Sequence, residues 1–153
     1  MKAVKPNIRG ILILDGDNRQ LPDDEVLAEG LTILRWRRYE AESYLVHPEA
    51  LARFVGGTTP DLFTHAGLEC LRKRLPPVVY EDPLADNDYL ERTPASKTLL
   101  PGFLEAAGVS LTREEYYQVA AQMLPEEIPN EVRDKLDVIC EALDVRENVT
   151  EEE

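Results

Sequence analysis

The sequence predicts an α/β protein with a parallel sheet of two or three strands followed by a helical C-terminal extension. Three observations lead to this fold class. Residues 8–14 form an apolar run broken only by an arginine and a glycine, residues 31–36 form a second run, and apolar side chains recur at helical spacing from Tyr39 onward. A continuous apolar run is typical of a strand that is buried on both faces, as in a parallel sheet covered by helices.

The two runs differ in how they are bounded. The first ends at the turn-forming residues Asp15-Gly16-Asp17-Asn18, and the second begins after Gly30 and has a strand-like composition. Between them, the acidic stretch 21–29 is predicted to form either a short helix or a loop.

The rest of the chain is predicted to be mostly helical. Pro48 stands where a first helical turn begins, and Thr59-Pro60-Asp61 precedes a longer helix that ends at Pro76. Thr112 followed by Glu115 has the form of a capping box, which predicts a helix over 113–123. The other predicted helices are 40–45, 48–55, 97–107 with an interruption at Pro101-Gly102, and a last one from about residue 130.

Two of these helices have a predicted apolar side, and residues 82–93 are predicted to be irregular. In the helix that ends at Pro76, the apolar side consists of Leu62, Phe63, Ala66, Leu68, Leu71 and Leu75. In the last helix it consists of Val132, Leu136, Ile139, Cys140 and Leu143. We expect three portions within one compact domain: an α/β portion at 1–46, a helical extension at 47–146 packed on it, and an acidic tail at 147–153. A chain of 153 residues is long enough to bury one core without disulfides.

The composition indicates a cytoplasmic protein. The chain begins without the apolar stretch of a signal peptide and contains no run long enough to span a membrane. Cys70 and Cys140 have no partners at metal-binding spacing and are predicted to be buried, reduced thiols. The net charge of −13 argues against unaided tight binding to nucleic acid, although basic residues cluster at 35–38 and 72–74.

Asp15-Gly16-Asp17 is the first candidate site. Ligands of parallel α/β sheets bind beyond the carboxyl ends of the strands, and a turn at Gly16 lets both carboxylates converge there. Mg²⁺ prefers such oxygen ligands, usually one or two carboxylates together with water and phosphate oxygens. The same residues are equally typical of a plain polar turn. A calcium loop of the EF-hand type does not fit, because Arg19 and Val26 occupy two of its acidic positions.

Two further features, a pair of glutamates and a lysine, are predicted to lie at the same carboxyl edge of the sheet. Glu40 and Glu42 follow the second strand directly, and Lys97 stands at a predicted helix start, where backbone amides favour anions. Taken singly, each has a simpler explanation. The glutamates could favour a helix dipole, and the lysine could be a solvated charge.

Together these pieces resemble the Toprim domain of the overcoming-lysogenization-defect (OLD) nucleases and related ATPase-coupled proteins of phage defence. The strand with Asp15-Gly16-Asp17 is one match. The segment R-Y-E-A-E-S-Y-L at 38–45 is similar to the family's Y-E-x-E-N-Y-L, and S-K-T-L-L at 96–100 is similar to its G-K-x-L-L. The helical tail also looks like the extensions in this group, so the resemblance spans most of the chain.

The resemblance implies a partial Toprim-like sheet and a nuclease that hydrolyses DNA with Mg²⁺ or Mn²⁺. Asp15 and Asp17 would be metal ligands, and the metal would activate water. Glu40 or Glu42 would be a further ligand or would orient a metal-bound water, and either choice stays open. Lys97 would stabilise the charge that develops on the phosphate.

The sequence also departs from the family pattern. A Toprim domain begins with a strand and a turn that carry an essential glutamate, but no acidic residue precedes Asp15 here. Ser96 and Ser43 replace the family's glycine and asparagine. The resemblance therefore implies the back half of a Toprim region. Its first strand and ATPase domain would lie upstream in a longer protein, in a partner chain, or nowhere if the gene is a remnant.

Two other functions remain open. A haloacid-dehalogenase-like phosphatase also places two aspartates after a strand, but it requires threonine or valine where this chain has Arg19. The other alternative is a non-catalytic interaction or regulatory module. In that case an open sheet edge would pair with another chain, either a second copy in a homodimer or an ATPase subunit.

Overall fold

In the part of the chain that the structure describes, three strands form one sheet ahead of a series of helices. The computed structural model describes residues 10–17, 25–28, 30–57, 59 and 61–151, and only the backbone of 25–28 and 143–151. The strands β1 (Gly10–Leu14), β2 (Glu25–Ala28) and β3 (Leu31–Arg35) are arranged in the order β1-β3-β2. The predicted α/β class, with a small sheet and mostly helical structure behind it, is confirmed.

Strands β1 and β3 are parallel, as predicted, with Gly10 opposite Leu31 and Leu14 opposite Arg35. Their burial differs. Ile33 of the central strand is 2% exposed, whereas Leu12 of β1 is 43% exposed. The prediction that the first strand is buried on both faces is wrong, because the face of β1 that carries Leu12 is exposed. In the described sheet β1 lies at one edge and β3 takes the central place. Residues 8 and 9 of the predicted strand lie outside the described residues.

The prediction of a helix or loop over 21–29 is wrong for residues 25–28. Strand β2 pairs antiparallel with β3, with Glu25 opposite Ile33 and Ala28 opposite Leu31. Gly30, at φ 86°, adopts a left-handed conformation at the turn into β3. Backbone hydrogen bonds to the second edge of β3 outweigh the weak strand preference of this acidic segment. Residues 21–24 and 29 are not among those described.

The helices follow the predicted order. A 3₁₀ helix covers Ala41–Leu45 and is followed by α1 (Pro48–Gly56), α2 (Leu62–Arg74), α3 (Pro77–Glu81), α4 (Asp88–Arg92), α5 (Ala95–Thr98), α6 (Leu100–Ala106), α7 (Tyr117–Gln122) and α8 (Asn130–Glu151). Pro48 is in the first turn of α1, as predicted, and Asp61 caps α2 by accepting a hydrogen bond from the Thr64 amide at 2.9 Å.

The predicted apolar side of α2 is wrong at its start and at Ala66, which is exposed. Leu62 is 80% exposed and Phe63 60% exposed, while Thr64, Gly67 and Leu71 are buried. The small residues Thr64 and Gly67 lie on the buried side of α2 because this helix packs closely against α1 and α6. A Cβ atom at position 67 would lie 2.9 Å from the ring of Phe103 in α6, so glycine permits this approach.

Two predicted helices are divided differently from the expectation. The break in segment 97–107 lies at Leu99, between α5 and α6, because Pro101 fits the first turn of α6. The helix predicted over 113–123 consists of a 3₁₀ turn at Arg113–Glu115 followed by α7. The Thr112 hydroxyl donates to the Glu115 carboxylate at 3.0 Å and makes no capping bond to the backbone.

Two smaller expectations are corrected, those for residues 82–93 and for the two cysteines. The predicted irregular segment 82–93 contains the helix α4, and α8 extends into the predicted acidic tail as far as Glu151. Cys70 and Cys140 are free thiols, but Cys70 is half-buried and Cys140 is exposed. None of the helices in the described part of the chain is long and apolar enough to cross a membrane.

The hydrophobic core lies among the helices. Its members come from the end of the 3₁₀ helix through α7, and the fully buried ones with the largest volumes are Phe103, Leu51, Leu71, Leu90, Leu99 and Leu100. This core supports the segments that follow β1 and β3 at the carboxyl edge of the sheet.

Candidate functional site

The Asp15-Gly16-Asp17 turn packs directly on the segment that follows β3. The amide of Asp17 donates to the Tyr39 carbonyl at 2.8 Å. Gly16 is buried, and a Cβ atom there would overlap the carbonyl oxygens of Arg38 and Trp36. The glycine therefore lets the first predicted motif contact the second, as expected for the carboxyl ends of two neighbouring parallel strands.

Asp15 lies at the centre of a group of acidic side chains. Its Oδ1 atom accepts a long hydrogen bond, 3.4 Å, from the amide of Ala41. Partial burial raises the pKa of Asp15, and the negative charges of Glu42, Asp17 and Glu40 raise it further against the opposing effect of the Ala41 amide. We call Asp15, Asp17, Glu40 and Glu42 the carboxylate cluster.

Glu40 connects the second predicted motif to the third. Its side chain is 5% exposed, and its Oε1 atom accepts a hydrogen bond from the backbone amide of Ser96 at 2.6 Å. The Ser96 amide belongs to the first turn of α5, where amides have no partner within the helix. Glu40 thus satisfies a buried backbone donor, which is a structural task that the sequence did not reveal.

Arg113 contacts both glutamates of the cluster. Its Nε atom donates to Glu42 Oε1 at 2.6 Å, and its Nη2 atom lies 3.5 Å from Glu40 Oε2. Burial raises the pKa of Glu42, but the hydrogen bond and charge of Arg113 outweigh burial and lower it. The same hydrogen bond, followed by the charges of Glu42, Glu40 and Asp15, raises the pKa of Arg113.

Lys97 is brought near this site but does not contact it. The helix start predicted at 94–97 is confirmed, with Pro94 as the cap and Lys97 in the first turn of α5. The Lys97 side chain is exposed and has no polar contact with the described residues. Because α5 has four residues, its few aligned peptide groups do not form the anion site expected of a longer helix.

Sequence reasoning missed Arg113 and Tyr116. The Thr112-Arg113-Glu114-Glu115 pattern predicts a helix start, and nothing in it indicates a contact with Glu42, which is 71 positions away. Tyr116 is buried in the same region, where burial and then the charge of Glu42 raise the pKa of its phenol. These residues come from the helical extension, so the site combines both parts of the chain.

The two basic clusters noted in the sequence mostly contact protein groups. Arg37 pairs with Asp86 at 2.8 Å and with Glu91 at 3.0 Å. Arg38 is buried, and its guanidinium donates to the carbonyl oxygens of Ser43 and Pro83. In the second cluster, Arg72 pairs with Glu69 at 3.2 Å, and Arg74 donates to the Thr98 carbonyl. The guanidinium groups of Arg37, Arg38 and Arg74 thus join segments that are distant in the sequence, whereas Arg72 pairs within its own helix.

The donor set suits a divalent metal in part. Two aspartate carboxylates on one tight turn fit the manner in which proteins bind Mg²⁺, with water and phosphate completing the shell. Among the described residues, however, no three histidine, cysteine, aspartate or glutamate side chains are placed to bind one ion together. Glu40 and Glu42 are engaged by Ser96 and Arg113, which leaves Asp15 and Asp17 as the available donors.

The fold and this site define a small mixed α/β protein with a carboxylate cluster at the carboxyl edge of its sheet. Comparison of the chain with protein-family models, with curated proteins and with solved structures finds no match.

Proposed function

We propose that this chain is the metal-binding half of a Toprim-like nuclease of the OLD type. In this proposal Asp15 and Asp17 bind Mg²⁺ or Mn²⁺, which activates water for hydrolysis of a DNA phosphodiester. Glu40 positions the Ser96-Lys97 segment, Glu42 faces the metal site, and Lys97 contacts the phosphate. When bound, the metal would activate a water as the nucleophile and would stabilise the charge that develops on the phosphate.

One observation carries the proposal. Three motifs that are separated along the chain meet at one edge of the sheet, through the bond from Asp17 to Tyr39 at 2.8 Å and the bond from Ser96 to Glu40 at 2.6 Å. Motifs that belong to one active site are expected to lie close together in the folded chain, as these three do. The first contact follows from the parallel pairing of β1 and β3, and the second is made by Glu40, so the placement of Glu40 between the aspartate turn and α5 is what supports the proposal.

The proposal includes further components for activity. The net charge of −13 repels DNA, so binding would depend on an ATPase domain or subunit, upstream or in trans, that supplies cationic surface. The essential Toprim glutamate would come from the same source. We place the complete assembly in the cytoplasm and in defence against phage.

Calorimetric titration with Mn²⁺ tests the metal site directly. We expect the wild type to bind and the double variant Asp15→Asn/Asp17→Asn to lose binding, with its fold checked by circular dichroism. Asp86→Asn/Asp88→Asn is a matched control because it removes two carboxylates at the same spacing from another exposed segment. Equal loss in both variants, or no binding by the wild type, contradicts the proposed site.

An interaction module is the second candidate, favoured by exposed apolar side chains. Leu12 on β1 is 43% exposed, and Leu136 and Val138 on α8 are 49% and 39% exposed. Light scattering at increasing concentration tests for self-association, and a monomer at all concentrations argues against a homodimer. A haloacid-dehalogenase-like phosphatase would also need a later lysine and paired acids, for which Lys97 and either Asp86 or Asp88 are the candidates. This alternative has no such support, because Asp86 pairs with Arg37 and Asp88 lies 4.0 Å from Arg92.

A further inference from the structure

Arg113 provides a positive charge beside the carboxylate cluster, where a bound metal ion would otherwise balance the negative charges. It lies on the 3₁₀ turn Arg113–Glu115, its side chain is 51% exposed, and it bridges Glu42 and Glu40 through two different nitrogen atoms. Its Nε bond to Glu42 Oε1 is the shorter of the two contacts, at 2.6 Å against 3.5 Å. One partly exposed guanidinium thus occupies two of the four carboxylates of the cluster.

The charges of the cluster act on Arg113 as they would act on a metal ion. Asp15, Asp17, Glu40 and Glu42 carry four negative charges when ionised, against the single positive charge of Arg113. Like charges at short range destabilise one another in proportion to their proximity. Arg113 relieves part of this repulsion, and it does so from the side of the helical extension.

From this arrangement we infer that Arg113 is a built-in counter-ion that competes with a divalent cation for the carboxylate cluster. The inference rests on the proposed metal site at Asp15 and Asp17. The positive charge of Arg113 neutralises part of the negative charge that would attract an ion to Asp15 and Asp17, and it repels the incoming cation. A metal-bound water that approaches Glu42 competes with Arg113 for the same carboxylate, so binding of the ion weakens this contact.

The inference predicts that removing Arg113 increases the affinity for the metal, whereas most substitutions at a metal site decrease it. Arg113→Gln removes one positive charge and the strong contact to Glu42, so it is expected to tighten Mn²⁺ binding about tenfold, which corresponds to ~1.4 kcal/mol. Arg113→Lys keeps the charge and is expected to bind Mn²⁺ with an affinity close to that of the wild type. Arg72→Gln removes a positive charge whose contacts in the described part of the chain are with Glu69 and Tyr80.

Calorimetric titration of Mn²⁺ into the wild type and these three variants is the experiment. Tighter binding by Arg113→Gln, with Arg113→Lys and Arg72→Gln unchanged, supports the inference. Equal or weaker binding by Arg113→Gln overturns it while the proposed metal site survives. Equal tightening by Arg72→Gln overturns it too, because net charge alone would then explain the gain. Absence of binding in every protein overturns both the site and the inference.

A measurement on the wild type covers the case in which Arg113→Gln does not fold. The Nε–H resonance of Arg113 can be assigned by its absence from the spectrum of Arg113→Lys. Saturating Mg²⁺ is expected to shift this resonance, because the bound ion and its water compete with Arg113 for Glu42 and weaken the bond between them. A resonance that stays in place while Mg²⁺ binds overturns the inference, and a protein that does not bind Mg²⁺ overturns the metal site as well.

Discussion

The Glu40 carboxylate accepts a hydrogen bond from the backbone amide of Ser96 at 2.6 Å, across 56 positions of the chain. This contact joins the segment after β3 to the start of α5, and Glu40 is 4% exposed. A buried carboxylate that satisfies a backbone donor and lies near a guanidinium is costly to remove, because its partners are left unpaired.

We therefore predict that Glu40→Ala lowers the free energy of unfolding by about 1–3 kcal/mol, as measured by urea denaturation. Glu40→Gln, which keeps an acceptor oxygen, is expected to cost less. The exposed Glu114, next to Arg113 in sequence, provides the control, since Glu114→Ala should change stability by less than about 0.5 kcal/mol. Equal effects at positions 40 and 114 would show that the contact to Ser96 is unimportant for stability.

Gly16 is predicted to tolerate no side chain. A Cβ atom there would overlap the carbonyl oxygens of Arg38 and Trp36, so Gly16→Ala must push the aspartate turn away from the segment after β3. We expect a loss of about 1–3 kcal/mol in thermal or urea unfolding. Gly10→Ala is the matched control, because its Cβ would meet a flexible leucine side chain at 3.3 Å. Equal tolerance at both positions would contradict the close packing of the turn.

The raised pKa of Asp15 predicts how stability depends on pH. A carboxyl whose pKa is higher in the folded state favours folding when it is protonated, and this contribution is lost as the pH rises through the folded pKa. Ionised Asp15 therefore destabilises the metal-free protein at neutral pH. We expect Asp15→Asn to raise the unfolding midpoint at pH 7, and we expect this gain to disappear below the ordinary pKa of 3.8.

Asp61 provides the control of opposite sign for the pH experiment. Hydrogen bonds from the Thr64 amide and hydroxyl lower its pKa, so its ionised form favours folding above its ordinary pKa of 3.8. Asp61→Asn is expected to lower stability at pH 7, with the loss shrinking as acid protonates the wild type. Gains or losses of the same sign at both positions would contradict the electrostatic environment assigned to Asp15.

The corrected face of α2 leads to a fourth prediction. Leu71 is fully buried, so Leu71→Ala should cost about 2–5 kcal/mol through lost burial and a cavity. Phe63, in the same helix, is 60% exposed, and Phe63→Ala should cost less than about 0.5 kcal/mol. Urea denaturation of both variants checks the assignment, and a large loss at position 63 would restore the face expected from the sequence.

Local sequence patterns were sufficient to predict those elements whose structure depends on residues that are near one another in the chain. The apolar runs ahead of Asp15 and after Gly30 indicated two strands that pair in parallel, and Pro48 and Asp61 indicated helix starts. Each of these signals acts within about one turn of helix or along one strand. The aspartate turn could be recognised for the same reason, since its residue types and its place after a strand are local properties.

The elements that the sequence did not predict depend on contacts between residues that are far apart in the chain. Strand β2 forms because β3 presents a second edge, and the buried face of α2 follows from the close approach of Phe103 to Gly67. Likewise, Arg113 meets Glu42 only when the helical extension folds back onto the sheet edge. The sequence therefore specifies which carboxylates stand at the ends of the strands. Long-range packing specifies which of them are neutralised by the protein, because charges interact through space and not along the chain.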